Sequence, residues 1–347
     1  MNDYWQEFLV ARGAVLDSNG YLSFQTTNTD PFDTHQDYCC DCSHLGVIRV
    51  SGDDAFDFLH GQFTNDLNLV NKETSQLSSY CNPKGRMLAI FRIIKKEDDY
   101  FLLMRRDVIE VVLKKLTMFK LMAKVELIDV SDELVVFGVS GANSVALLNK
   151  NNIHEPEKPE QVTTQQNITA INLAGENPRT LIISPPEDAI KIWQALTETC
   201  EQTSFKTWEL IDIQNGIPQV TAETSEAFIP QMVNLELIGG VNFQKGCYPG
   251  QEIVARTHYL GKPNRRMYRI NIDSEVCPKA GTNIFSKADG EQAVGKIVNA
   301  QNNGSNSCDA LAVLRTEKEE SNDMHLENQE DTQIKIVALP YSLNPTT

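Results

Sequence analysis

The amino-acid sequence predicts an α+β protein built from two αβ modules followed by a small β-barrel. Three observations carry that reading. A strand-turn-helix unit opens near residue 46, and its grammar returns near residue 134. From Arg266 onward the chain shows only short strand-like runs, with no helical period between them. At 347 residues the chain is long enough for two or three domains, because single cores stop growing well before that size.

Residues 46–50 read as a strand, Ser51-Gly52-Asp53 supplies cap chemistry, and Ala55, Phe56, Phe58 and Leu59 mark a short helix. In the second unit the apolar run Leu134–Val139 leads through Ser140-Gly141 into Val145, Ala146, Leu147 and Leu148. The shared Val-Ser-Gly tripeptide reads either as an internal duplication or as coincidence. Between the units lie strand-like runs at 77–81, 87–94 and 100–104, then a helical stripe of Val108, Val112 and Leu116 with Ile109 and Leu113 beside it. Residues 149–166, with Pro156, Pro159 and several charges, follow neither period and are expected to be a solvent loop. Helices are expected from about Glu187 to Thr199 and from about Phe205 to Asn215, the second stopped by Gly216 and Pro218. Strands at 266–272, 282–286, 293–299, 310–315 and 333–339 fit a small barrel, with the acidic run from Glu317 to Asp331 as a solvated hairpin insertion.

With 41% hydrophobic and 22% charged residues, the composition is that of an ordinary globular protein. No stretch approaches the roughly 18 uninterrupted apolar residues of a spanning helix, and residues 1–13 lack a basic flank leading into an apolar run; a cytoplasmic protein is the expectation. Eight cysteines in a chain with a sizeable core are expected to be reduced thiols. The formal charge of −16 repels phosphate backbones on average, which speaks against a general nucleic-acid binder while leaving room for a local basic patch.

The most informative segment runs from Lys245 to Arg256 and reads Lys-Gly-Cys-Tyr-Pro-Gly-Gln-Glu-Ile-Val-Ala-Arg. Pro249 suits a first helical position, Glu252 complements the positive end of that helix, and Gly261 can close it, which sets Cys247 just ahead of the N-terminus. Lys245 and Arg256 add cations, and each of these neighbours favours a thiolate. From chemistry alone Cys247 reads equally as a reactive thiol or as a residue packed in a tight turn.

The same residues carry a resemblance. Lys-Gly-Cys-Tyr-x-Gly-Gln-Glu followed by Val-Ala-Arg is similar to the signature of the YgfZ folate-binding proteins. The similarity extends through Gly61-Gln62-Phe63-Thr64-Asn65-Asp66, Asn82-Pro83-Lys84-Gly85-Arg86, Phe228-Ile229-Pro230-Gln231 and Leu339-Pro340-Tyr341, covering nearly the whole chain. It implies a fold like that of the glycine-cleavage T-protein, with a folate-binding region at 1–260, in modules of about 1–130 and 131–260, and a β-barrel at 261–347. These would surround a central channel that holds tetrahydrofolate.

Carried over by position, Trp208 resembles the family's folate-contacting tryptophan, an aromatic face suited to a pterin; its other reading is core packing. A second ligand-contacting tryptophan of the family falls at Leu45, where stacking is lost and apolar contact remains. Gln214 stands where relatives usually place a glutamate that pairs with the pterin, so folate binding is expected to be weaker or altered. Aminomethyltransferases carry an aspartate shortly after the glycine matching Gly85, whereas this chain has Met87-Leu88-Ala89. Without that carboxylate, aminomethyl transfer is not expected.

The resemblance thus implies folate binding in support of iron–sulfur cluster enzymes and, through them, of tRNA methylthiolation. Cys247 is the reactive thiol and Lys245 its neighbour. Partners are folate and iron–sulfur proteins or cluster carriers, with tRNA indirect and the protein a monomer. The alternative is a folate-dependent one-carbon transferase of the aminomethyltransferase type with a relocated acid.

Weaker signals complete the reading. His35, Cys39, Cys40, Cys42 and His44 crowd together, but no second pair shares the Cys39/Cys42 gap, so a thiol-rich strand start is expected and no metal. Arg256, Lys262, Arg265 and Arg266 concentrate positive charge with Lys245 and Arg269. They suit a polyglutamate folate tail or an RNA phosphate, or a solvated surface balancing the acidic loops. His60 reads as a helix-end residue rather than a base, and no phosphate loop, nucleophile elbow or Ser-His-Asp order is present.

Overall fold

A computed structural model describes residues 1–17, 20–24, 33, 36–154, 156–259, 263–304, 307–319, 321 and 323–343. His35, Gly261 and Lys262 lie outside the described residues.

The first module is a five-stranded antiparallel sheet in the order Gln76–Cys81, Met87–Lys96, Asp99–Arg105, Leu45–Ser51, Glu126–Asp129. A helix Asp3–Ala11 (α1) precedes it, and Ala55–His60 (α2) and Ile109–Lys120 (α3) belong to it. The expected stripe is its packing surface: Ile109, Val112 and Leu116 of α3 bury against Ile48, Phe91, Ile93 and Leu102.

The second module repeats the strand-turn-helix entry. Val135–Ser140 runs into Ser144–Lys150 (α4), as Leu45–Ser51 runs into α2, and Gly52 and Gly141 both adopt positive φ at the turn. Its sheet has the order Val162–Gln165, Ile168–Leu173, Arg179–Ser184, Val135–Ser140, Tyr38–Asp41, Glu201–Thr203. The last pair is parallel and the others antiparallel. One face packs on α1 and on Pro186–Leu196 (α5) through Trp5, Leu9, Phe137, Trp193 and Leu196. The opposite face meets the first module's sheet. Leu45, Val47 and Leu103 there contact a cluster with Val136, Leu181, Ile183 and Trp208, the last from Phe205–Gln214 (α6).

The remaining region is a six-stranded antiparallel sheet, Met324–Leu326, Asn283–Ser286, Gly295–Asn302, Ser307–Arg315, Arg265–Asp273, Ile334–Val337. It is curled into a half-barrel rather than closed, since its two end strands are not neighbours. Met267, Val298 and Leu311 of this sheet share a core with Ile213 of α6, Phe228 and Val233, and Met87 of the first sheet. Among the described residues no helix is long and apolar enough to cross a membrane.

Several expectations change. Residues 149–166 are not all loop, because Val162–Gln165 is the polar edge strand of the second sheet. The acidic run is not only a solvated hairpin, because its apolar Met324 and Leu326 carry an edge strand paired with Asn283–Ser286. The reduced-thiol expectation fits six cysteines, whereas Cys277 and Cys308 form a disulfide tying the loop after Asp273 to the half-barrel. Cys39 packs into the core beneath α1 and α5, while Cys40 and Cys42 pack into the core between the two sheets, so the strand pleat separates the cysteines that share a two-residue gap.

Candidate functional site

Cys247 is a free and exposed thiol on a loop braced from several sides. Thr64 Oγ1 donates to Gly240 O at 2.9 Å, Asn65 Nδ2 donates to Gly239 O at 2.7 Å, and Asn242 N donates to Thr64 O at 3.0 Å. Gly250 fits against the turn at 82–85 because it has no side chain. A Cβ there would lie 2.5 Å from Asn82 O, and its φ of +81° is one that other residues rarely adopt. Arg86 Nη1 donates to Ala227 O at 2.6 Å, and Gln231 Nε2 donates to Val254 O at 2.6 Å. Segments far apart in the chain are therefore gathered around one thiol.

The final helix, Gln251–Tyr259 (α7), starts later than expected. Pro249 and the left-handed Gly250 form a turn ahead of it, so Cys247 precedes α7 by several residues rather than lying just ahead of it. Lys245 is largely buried. Its ammonium donates to Phe63 O at 2.6 Å and to His60 O, and lies 5.1 Å from the centre of the Tyr248 ring. Burial pushes this amine down to about 8, against the raising influence of Asp66 and Cys247.

The basic concentration resolves into separate pairs. Arg256 pairs with Glu252 along α7 at 2.7 Å, Arg266 pairs with Glu236 and donates to Gln231 O at 2.9 Å, and Arg269 pairs with Asp309 at 2.7 Å. Arg265 sits opposite Arg315 on the half-barrel, where burial and that neighbour lower its pKa.

A second constellation lies between the two opposed sheets. Leu45 and Trp208 line one cavity of about 60 Å³, together with Leu77, Ile90, Leu103, Arg92, Arg105, Arg179, Asp212 and Gln219. Trp208 is 1% exposed, and the Arg179 guanidinium lies 5.2 Å from its ring centre. Arg92 is held by both oxygens of Glu160, at 2.9 and 2.6 Å, and Arg105 by Asp107 and Glu209. Arg179 Nη2 donates to Asp212 Oδ1 at 2.7 Å, while Nε and Nη1 have no partner among the described residues.

Cys247 is not among the residues that line this cavity. Gln214 does not line it either, and its Nε2 donates to Asp309 Oδ2 at 3.4 Å. Arg179 and Gln219 went unnoticed in the sequence. No local pattern marks them, because an arginine opening one strand and a glutamine after a proline gain their setting only from the opposed sheets.

The model of the GCVT N-terminal domain matches residues 35–179. The chain is 32% identical over 310 residues to the tRNA-modifying protein YgfZ of Colwellia psychrerythraea, covering 88% of this chain and 94% of that protein. It is 33% identical over 304 residues to the protein of the same name from Photobacterium profundum, covering 86% and 90%. Among solved structures, the glycine cleavage system aminomethyltransferase T from Bartonella henselae superposes with a TM-score of 0.78 at 15% identity, covering 98% of this chain and 97% of that one, and so shares the fold. By sequence along nearly its whole length, with the three-part architecture to match, the chain belongs to the YgfZ family of tRNA-modifying proteins.

Proposed function

We propose that this protein binds a tetrahydrofolate-type ligand between its two αβ modules and supports tRNA modification through iron–sulfur enzymes, with Cys247 as the contact for a thiol or a cluster-bearing partner. The observation that carries the folate reading is that Leu45 and Trp208, the positions matched to the family's two ligand-contacting tryptophans, line a single cavity.

The residues fit such a ligand by chemistry. Trp208 offers an aromatic face, Leu45 an apolar wall, and Arg179 two buried donors without partners. The volume of about 60 Å³ holds a few waters, whereas ligand sites span roughly 300–1,000 Å³. Ring binding therefore requires the sheets to part and Leu77, Ile90 and Leu103 to change rotamer. These are apolar side chains on the first module's sheet, so the polar groups on the opposite wall can keep their places.

The stretch matching the aminomethyltransferase aspartate lies within a strand of the first module's sheet. Met87, Leu88 and Ala89 are buried strand residues with no carboxylate among them. Cys247 instead supports contact with a macromolecule, being exposed on a loop whose backbone is fixed by the bonds from Thr64 and Asn65.

Two measurements test the reading separately. Titration with tetrahydrofolate is expected to quench tryptophan fluorescence in the wild type and to fail in Trp208→Ala; equal binding by both proteins removes the assigned site. In a deletion strain, Cys247→Ala is expected not to restore tRNA methylthiolation. Full rescue by that variant removes the thiol from the function.

A further inference from the structure

Asp212 uses its two carboxylate oxygens on two different side chains. Oδ1 accepts from Arg179 Nη2 at 2.7 Å, and Oδ2 accepts from Gln219 Nε2 at 2.9 Å. The carboxylate thereby sets a guanidinium and an amide side by side. Arg179 is 2% exposed and Asp212 5%, and Asn299 Oδ1 fixes the Gln219 backbone by accepting from its N–H at 2.9 Å.

After these bonds are made, three buried polar atoms of these two cavity-lining side chains have no partner among the described residues: Arg179 Nε and Nη1, and Gln219 Oε1. Arginine can only donate, whereas the amide oxygen can only accept. Two orphan donors beside one orphan acceptor, next to an indole ring, make a complement to one kind of ligand edge. That edge carries a carbonyl oxygen adjacent to a ring N–H, the arrangement of a cyclic lactam.

We propose that Arg179 and Gln219, clamped together by Asp212, read the lactam edge of the heterocycle that packs against Trp208. The assignment rests on the folate reading above and makes this pair, rather than Gln214, the specificity determinant of the site. Arg179 donates to the ring carbonyl, and the neighbouring ring N–H donates to Gln219 Oε1. A ring with an amino group in place of that carbonyl oxygen presents a donor to Arg179 and an unprotonated nitrogen to the amide oxygen. Both contacts then become mismatches, in a setting where unpaired buried groups are costly.

The test compares binding of tetrahydrofolate with that of its equally reduced aminopterin-type analogue, in which an amino group replaces the lactam oxygen. Both are measured by calorimetry on the full-length protein. The wild type is expected to prefer the lactam by about tenfold or more, as sites built around hydrogen bonds do. Arg179→Lys keeps a charge beside Asp212 but loses the free fork, and Gln219→Leu removes the acceptor; each is expected to bring the ratio towards one. If Arg179→Lys does not fold, as judged by circular dichroism, Gln219→Leu decides alone. A wild type that binds tetrahydrofolate without preferring it, or variants that keep the full preference, overturns this inference while sparing the folate site. Binding of neither compound overturns both.

Discussion

Lys245 Nζ donates to the carbonyl oxygen of Phe63 at 2.6 Å, across 182 residues of sequence, and so ties the cysteine loop to the turn that follows α2. The side chain that the sequence offers as a companion cation for Cys247 is therefore also a clamp. Lys245→Met leaves the carbonyls of His60 and Phe63 without this donor in a largely buried setting. The expected cost is about 1–3 kcal/mol, measured by urea unfolding, with faster proteolysis in the 239–251 loop. Unchanged stability together with unchanged proteolysis would mean that the clamp does not hold the loop.

Asp41 and His44 are expected to titrate against each other. Burial holds the Asp41 carboxyl up at about 6, despite bonds from Ser43 and Trp5, and drives His44 well below its ordinary 6.5, helped by Arg105. Below about pH 6.5 the unfolded chain protonates His44 and the native protein does not, so this residue removes stability as pH falls. Between about pH 6 and 4 the native protein protonates Asp41 and the unfolded chain does not, so this residue adds stability as pH falls. Each slope is roughly 1.4 kcal/mol per pH unit for one proton, and their signs are opposite. Relative to wild type, Asp41→Asn should lose stability as pH drops through this window, and His44→Leu should gain it. Parallel stability curves for the three proteins would contradict both environments.

Gly138 is the floor on which Trp208 rests. A Cβ at that position would come 2.2 Å from the indole ring, and the surrounding strand Val135–Ser140 is fixed by ladders on both sides. Gly138→Ala should therefore push the ring aside at a cost of about 1–3 kcal/mol and weaken tetrahydrofolate binding. An unaltered melting temperature and an unaltered tryptophan emission spectrum would show that the ring has room to spare.

Gln214→Glu tests which partner this side chain serves. Asp309 already accepts from Arg269, Asn271 and Asn303, and Gln214 approaches it at 3.4 Å. A glutamate would set a second carboxylate against it, so α6 should dock less firmly on the half-barrel, by about 1 kcal/mol, with little change in folate affinity. An Asp309→Asn background should relieve the effect. Tighter tetrahydrofolate binding in the single variant would instead return Gln214 to the ligand site.

The apolar strand at residues 46–50, the stripe from Val108 to Leu116 and the paired Ser-Gly turns were legible because each depends on neighbours within a turn or two of the chain. The polar edge strand Val162–Gln165 and the strand Met324–Leu326 were not, since an edge strand buries only part of its surface and needs a partner to define it. The motifs around Cys247 were readable as a set, but not the grip of Lys245 on Phe63, which depends on how two distant turns meet.

Local spacing pointed to strand-turn-helix units followed by a run of short strands, and the Lys245–Arg256 motif, together with the segments at 61–66, 82–86, 228–231 and 339–341, pointed to the family. Folding decided where polar groups are left without partners. Leu45 and Trp208 meet only because two sheets face each other, and Arg179 and Gln219 become a matched pair only because one carboxylate reaches both. Periodicity encodes which face of an element is buried; which unpaired donor looks at which acceptor is a property of surfaces brought together from opposite ends of the chain.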